Sequence, residues 1–247
     1  YLTYGLTLNG INAQVAQQSH TNTVYMLLAG ALLILAIYNL IAGAMRGGST
    51  YFYHCGFILS ILTISLVLAG YLPLSLTENS TVQPRTLFVM MMVALFSATG
   101  VARSFFDLSI KAPLLHRITL MLKWGALAII PLTLALPIAL AASLSFATVS
   151  LAAFILLVLG YTSWHRELNG GGLFFLTTVL VSGPALLVCL AYLGILQTSA
   201  ELPQWLLATT VLEAVTLGIG LRVSHRHQAL LNIEQQRSQA IAETVDA

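Results

Sequence analysis

From Trp124 to His165 the chain runs for 42 residues without an Asp, Glu, Lys or Arg. As one helix that stretch would reach about 60 Å, roughly twice the hydrocarbon thickness of a bilayer. It must therefore cross an apolar medium and turn back, and Pro137, inside it, is the natural break. The rest of the chain agrees. Lys+Arg number 10 and Asp+Glu 8, so charged residues make up 7% of 247. Soluble domains carry roughly 25%, and a water-facing surface cannot be built from this alphabet. Disorder is excluded as well, because it needs low hydrophobicity and high charge, whereas 58% of these residues are hydrophobic. A net charge of +2 leaves no basic face for a nucleic-acid backbone. The chain is read as an all-α integral membrane protein.

Other charge-free stretches, measured the same way, predict seven transmembrane helices at about 22–45, 50–72, 85–108, 115–136, 140–164, 171–197 and 204–226. Turn-forming sequences separate them: Arg46-Gly47-Gly48-Ser49, Thr77-Glu78-Asn79-Ser80, Lys111-Ala112-Pro113, Asn169-Gly170-Gly171-Gly172 and Glu201-Leu202-Pro203. The runs are continuous rather than alternating, which excludes a transmembrane barrel. Nine of the ten basic residues fall on one side of this topology: Arg46, Arg103, Lys111, Arg117, Lys123, Arg166, Arg222, Arg226 and Arg237. Arg85 alone lies on the other. The excess of positive charge on cytoplasmic loops then places the N-terminus outside and the C-terminus in the cytoplasm. Ser224 to Ala247 contains neither Pro nor Gly, and is expected to carry the last helix onward as a rod into the cytoplasm. Residues 1–21 read as an extracytoplasmic stub, 22–226 as the membrane domain and 227–247 as a linker helix. Tyr1–Ser19 lacks the basic start of a signal peptide, and the absence of an initial Met suggests a segment upstream.

Few residues could carry chemistry. Glu213 falls near the middle of the seventh span, where an ionised carboxylate costs at least ~2.5–3.5 kcal/mol. Two readings stand for it: a ligand, proton or switch site, or a protonated structural carboxyl bonded to a neighbouring Thr, Tyr or Asn. Tyr38-Asn39 lies in the inner half of the first span, and a buried Asn must either join helices or line a polar pocket. Arg103 and Lys123 are expected to reach the inner interface by snorkelling and to act as anchors. Asp107, four residues after Arg103, can pair with it on one helical face. Pro184 kinks the sixth span, as a hinge or as a pocket wall.

Several classes close. His54 and His116 fall near span ends and the other histidines in loops or tails, so a bis-histidine haem is not expected. The last span has no Lys for a retinal Schiff base. Cys55 and Cys189 read as buried thiols, and neither a metal site nor a catalytic constellation is discernible.

Tyr38-Asn39-Leu40, Arg46-Gly47-Gly48-Ser49-Thr50-Tyr51-Phe52-Tyr53, Arg103-Ser104-Phe105-Phe106-Asp107-Leu108 and the run from Glu213 through Leu217-Gly218-Ile219-Gly220-Leu221-Arg222-Val223 occur in this order. Together they resemble the membrane module of bacterial seven-transmembrane receptors with diverse intracellular signalling modules, over about residues 22–235. The small, Gly-containing Leu217–Leu221 segment departs from the pattern. The resemblance implies a receptor in the bacterial inner membrane, with a β-sandwich sensor before the first span. It also implies a histidine kinase, diguanylate cyclase or related output after the last. Glu213, Asn39 and Arg103 fall on the family's pattern positions.

The resulting expectation is a sensor that repacks around Tyr38, Asn39 and Glu213 and relays the change through the seventh helix past Arg222. It would carry no cofactor and no catalytic site of its own. Its partners would be the bilayer, a second copy in a homodimer and a cytoplasmic output domain. A small transporter or channel, and an accessory subunit of a larger complex, are the alternatives. The lack of an inverted repeat argues against transport.

Overall fold

The computed structural model describes residues 2–71, 82–106, 113–166, 171–192, 194–195 and 202–220. Within them every regular element is a helix: α1 (Leu2–Arg46), α2 (Ser49–Leu68), α3 (Val82–Phe106), α4 (Pro113–Ala135), α5 (Ile138–His165), α6 (Gly171–Tyr192) and α7 (Leu202–Gly220). All seven are long and apolar enough to cross a membrane, α1 from Thr21 onward. The chain is a multi-pass membrane protein. Asp107, Lys111, Arg222 and the rod expected from Ser224 to Ala247 lie outside the described residues.

Local chemistry sets the ends. Gly47 stops α1 in the left-handed region at φ +67°, and its amide donates to the Gly43 carbonyl at 2.9 Å. Only Gly47 and Gly48 then separate α1 from α2, so the two helices form a tight hairpin. Pro137 breaks the long charge-free stretch. It stands just before α5, where its missing N–H costs no helical bond, and its carbonyl accepts from Ala141 at 2.9 Å. Pro131 and Pro184, by contrast, sit inside continuous helices.

Buried apolar side chains place α2 and α3 at the centre: more than half of each span is buried, against about a fifth of α1 and α4. One core joins Phe57 and Ile61 of α2 to Phe88 and Met92 of α3, with Phe146 of α5 edge-on to Phe88 at 6.1 Å. A second packs Tyr25, Leu32 and Ala36 of α1 against Ile58 of α2 and Leu207 and Ala214 of α7. At the α7 start the same three helices are tied by polar contacts. Gln204 donates to the Thr21 carbonyl at 2.8 Å, and the Tyr71 hydroxyl after α2 donates to Asn22 at 2.8 Å.

Candidate functional site: a buried Asn–His–Glu cluster

Alternating passes put the end of α1, the start of α2 and the end of α7 on the same side of the membrane. Asn39 is seven residues before Arg46 and His54 five after Ser49. At 1.5 Å per residue both lie about 7–10 Å in from that side. Glu213 of α7 meets them there. His54 bridges the other two, with Nδ1 at 3.1 Å from Asn39 Oδ1 and Nε2 at 3.3 Å from Glu213 Oε2. The cluster is closed to solvent: His54 is 1% exposed, and Asn39 and Glu213 are each 4% exposed.

The hydrogen bonds fix the protons. The Asn39 amide nitrogen donates to the Leu35 carbonyl at 2.8 Å, which turns its oxygen toward the histidine. An oxygen can only accept, so His54 Nδ1 carries a hydrogen. Nε2 and the carboxyl then share one more proton. If it sits on Glu213, both groups are neutral; if it sits on His54, they form an ion pair. Neither form alters the proton count of the cluster. Without that proton a carboxylate would face the Nε2 lone pair with no hydrogen between them.

Tyr38 lines a crevice of about 210 Å³ between α1 and α7, with Asn39, Tyr51 and Gly218 among the other walls. Arg46 donates to the Tyr51 hydroxyl beside this crevice at 2.9 Å. His54 is the member that reading the sequence missed. Its distance from Glu213 in the chain, 159 positions, hides the pairing.

Lys123 departs from the snorkelling expected of it. It is 7% exposed, and its ammonium donates to the Tyr53 hydroxyl at 2.5 Å while lying 4.1 Å from the Tyr53 ring centre and 4.7 Å from that of Phe96. The ring faces replace the water that a snorkelling lysine would seek. Gly100 makes the cage possible, since a Cβ there would stand 2.5 Å from the Tyr53 ring. Arg103 Nη2 lies 3.5 Å from His116 Nε2, and among the described residues neither Arg103 Nε nor His116 Nδ1 has a partner. Pro184 stands between Ser182 and Ala185, both walls of a mid-bundle cavity. Cys55 and Cys189 are buried free thiols.

Residues 21–222 match one known family, described as 7TM diverse intracellular signalling. The chain belongs to that family. No match was found among curated proteins or among solved structures. Membership makes this a sensor or signalling membrane module, and the matched region takes in all three residues of the cluster and the Lys123 cage.

Proposed function

We propose that this signalling module is a bistable relay whose switch is the Asn39–His54–Glu213 cluster and whose lever is α7. The observation that carries the reading is the 3.3 Å contact from His54 to Glu213, which ties the α1–α2 hairpin to the final helix. Moving one proton across that contact turns a neutral pair into an ion pair. A signal that brings polarity or a charge to the cluster favours the ion pair, and an apolar surround favours the neutral pair. Each form has its own preferred spacing between α2 and α7, and a ligand shifts the balance only by its differential affinity for the two packings.

The module is read as sitting in a bacterial inner membrane, N-terminus outside and C-terminus in the cytoplasm, on the strength of nine basic residues against one. A sensor precedes α1, and an output of the histidine kinase or diguanylate cyclase type follows the α7 rod, in the same polypeptide or in a partner. The receptor works as a homodimer. Arg103 and Arg222 anchor the inner face, with Asp107 paired to Arg103.

Glu213→Gln tests the relay in the full-length receptor. The Gln amide donates to Nε2 as a protonated Glu does, but cannot give up its proton. The expected outcome is a correctly inserted, folded receptor whose output no longer responds. A flexible Gly-rich insertion after His227 should abolish the response in the same way. A full response from both variants would remove the reading.

A further inference from the structure

We propose that the cavity beside the cluster binds a small lipophilic molecule that ends in a hydrogen-bond donor, a hydroxyl or an amine. Two chambers lie side by side there. One, of about 80 Å³, lies at mid-bundle among Phe57, Met91, Leu95 and Val188 and is almost wholly apolar. The other, of about 40 Å³, is walled by His54, Glu213, Thr177 and Thr178. Phe57, Ala98 and Ser182 line both, so the apolar chamber adjoins the polar one. Binding sites between bundle helices have this composition, an apolar lining with a few converging polar groups.

The polar end accepts and does not donate. The Thr177 hydroxyl donates to the Phe174 carbonyl at 2.8 Å, and that of Thr178 to Phe175 at 2.8 Å. Ser182 donates to the Ala153 carbonyl at 3.4 Å. Their remaining lone pairs can only accept. Both His54 nitrogens are engaged, and one Glu213 oxygen holds His54 while the other is left for a ligand. An end group that donates is therefore recognised, and one that only accepts is refused. Water suits the chamber poorly, because a buried water needs two to four polar partners. An apolar cavity of about 150 Å³ holds benzene. The space here is of the same order, so a single ring fits as it stands, and a chain as long as that of octanol enters by spreading α5 and α6 from α2 and α3. That occupancy moves the switch rests on the relay proposed above; the occupancy itself does not.

The test is photolabelling of the intact chain in phospholipid nanodiscs with a diazirine-bearing octanol, followed by peptide mapping. Adducts are expected at Phe57, Met91 and Leu95, suppressed by excess octanol and not by octane supplied in the lipid. Ala185→Leu fills the apolar chamber without touching His54 or Glu213, and should lower these adducts about tenfold, the equivalent of 1.4 kcal/mol of binding. Leu206→Ala enlarges the same chamber and should keep or raise them. Adducts confined to lipid-facing side chains such as Leu151 and Phe154 would overturn the proposal, as would octane protecting as well as octanol. Labelling reads occupancy and not signalling, so its failure is distinguishable from failure of the relay.

Discussion

Tyr53 and His54 are consecutive on α2, yet they serve two polar clusters of opposite design. His54 faces an amide on one side and a carboxyl on the other, and both ring nitrogens are engaged. Tyr53 holds a buried ammonium against ring faces, with no carboxylate among the described residues in contact with it. The first cluster can redistribute its charge internally, because base and acid are both present. The second holds a base with no acid beside it among the described residues. Its cation is stabilised by about 2 kcal/mol of desolvated cation–π attraction, against an insertion cost of ~2.5–3.5 kcal/mol, so it comes close to balance without a counter-ion. A membrane protein can thus bury a charge either as a fixed fitting or as one state of a pair, and only the pair has somewhere to go.

Three variants sharpen or break this contrast. Gly100→Val should have the largest effect, about 3 kcal/mol of stability, because its side chain meets the Tyr53 ring in a packed interface. Thermal unfolding in nanodiscs measures it, and a Tyr53→Ala background should recover most of the loss. An undiminished penalty in that background would mean that the cage is not what Gly100 accommodates. Next comes Glu213→Leu, which strips His54 Nε2 of its partner and should cost about 1–2 kcal/mol, within the usual range for a buried unsatisfied group. A double-mutant cycle with His54→Leu should return a coupling of about 0.6–1.7 kcal/mol, as polar contacts between membrane helices do. A coupling of zero would dissolve the pair. Lys123→Met is the smallest. Lost cation–π attraction and relieved desolvation nearly cancel, so stability should change by less than about 1 kcal/mol. A loss as large as that of Glu213→Leu would show that the fold depends on the cage no less than on the pair.

The seven helices were legible because an apolar solvent constrains every residue of a span. Charge-free length, Gly47-Gly48 and Pro137 are local signals that need no partner. Asn39 and Glu213 were legible for a related reason: a buried polar group is costly wherever its partner lies. The partner itself was not. His54 looked like a span-end histidine, since only the alternation of passes shows that a residue five into α2 shares its depth with Glu213 of α7. A search at that depth for a side chain able to serve an amide and a carboxyl at once would have found it. The Lys123 cage was hidden more completely. Tyr53 and Phe96 lie 70 and 27 positions away, and positive-inside reasoning supplies an ordinary role for any lysine near a loop.

The two bonds of His54 span very different lengths of chain, 15 positions to Asn39 and 159 to Glu213. The first belongs to the α1–α2 hairpin and can form as soon as that hairpin enters the bilayer. The second waits for α7, after four more helices have been made. Until then His54 Nε2 stays without its carboxyl, and the half-built cluster is a polar fault that an inserting chain carries forward. Its closure by the last helix therefore records the order of synthesis: the same contact that joins α2 to α7 in the finished protein marks the moment at which the bundle becomes complete.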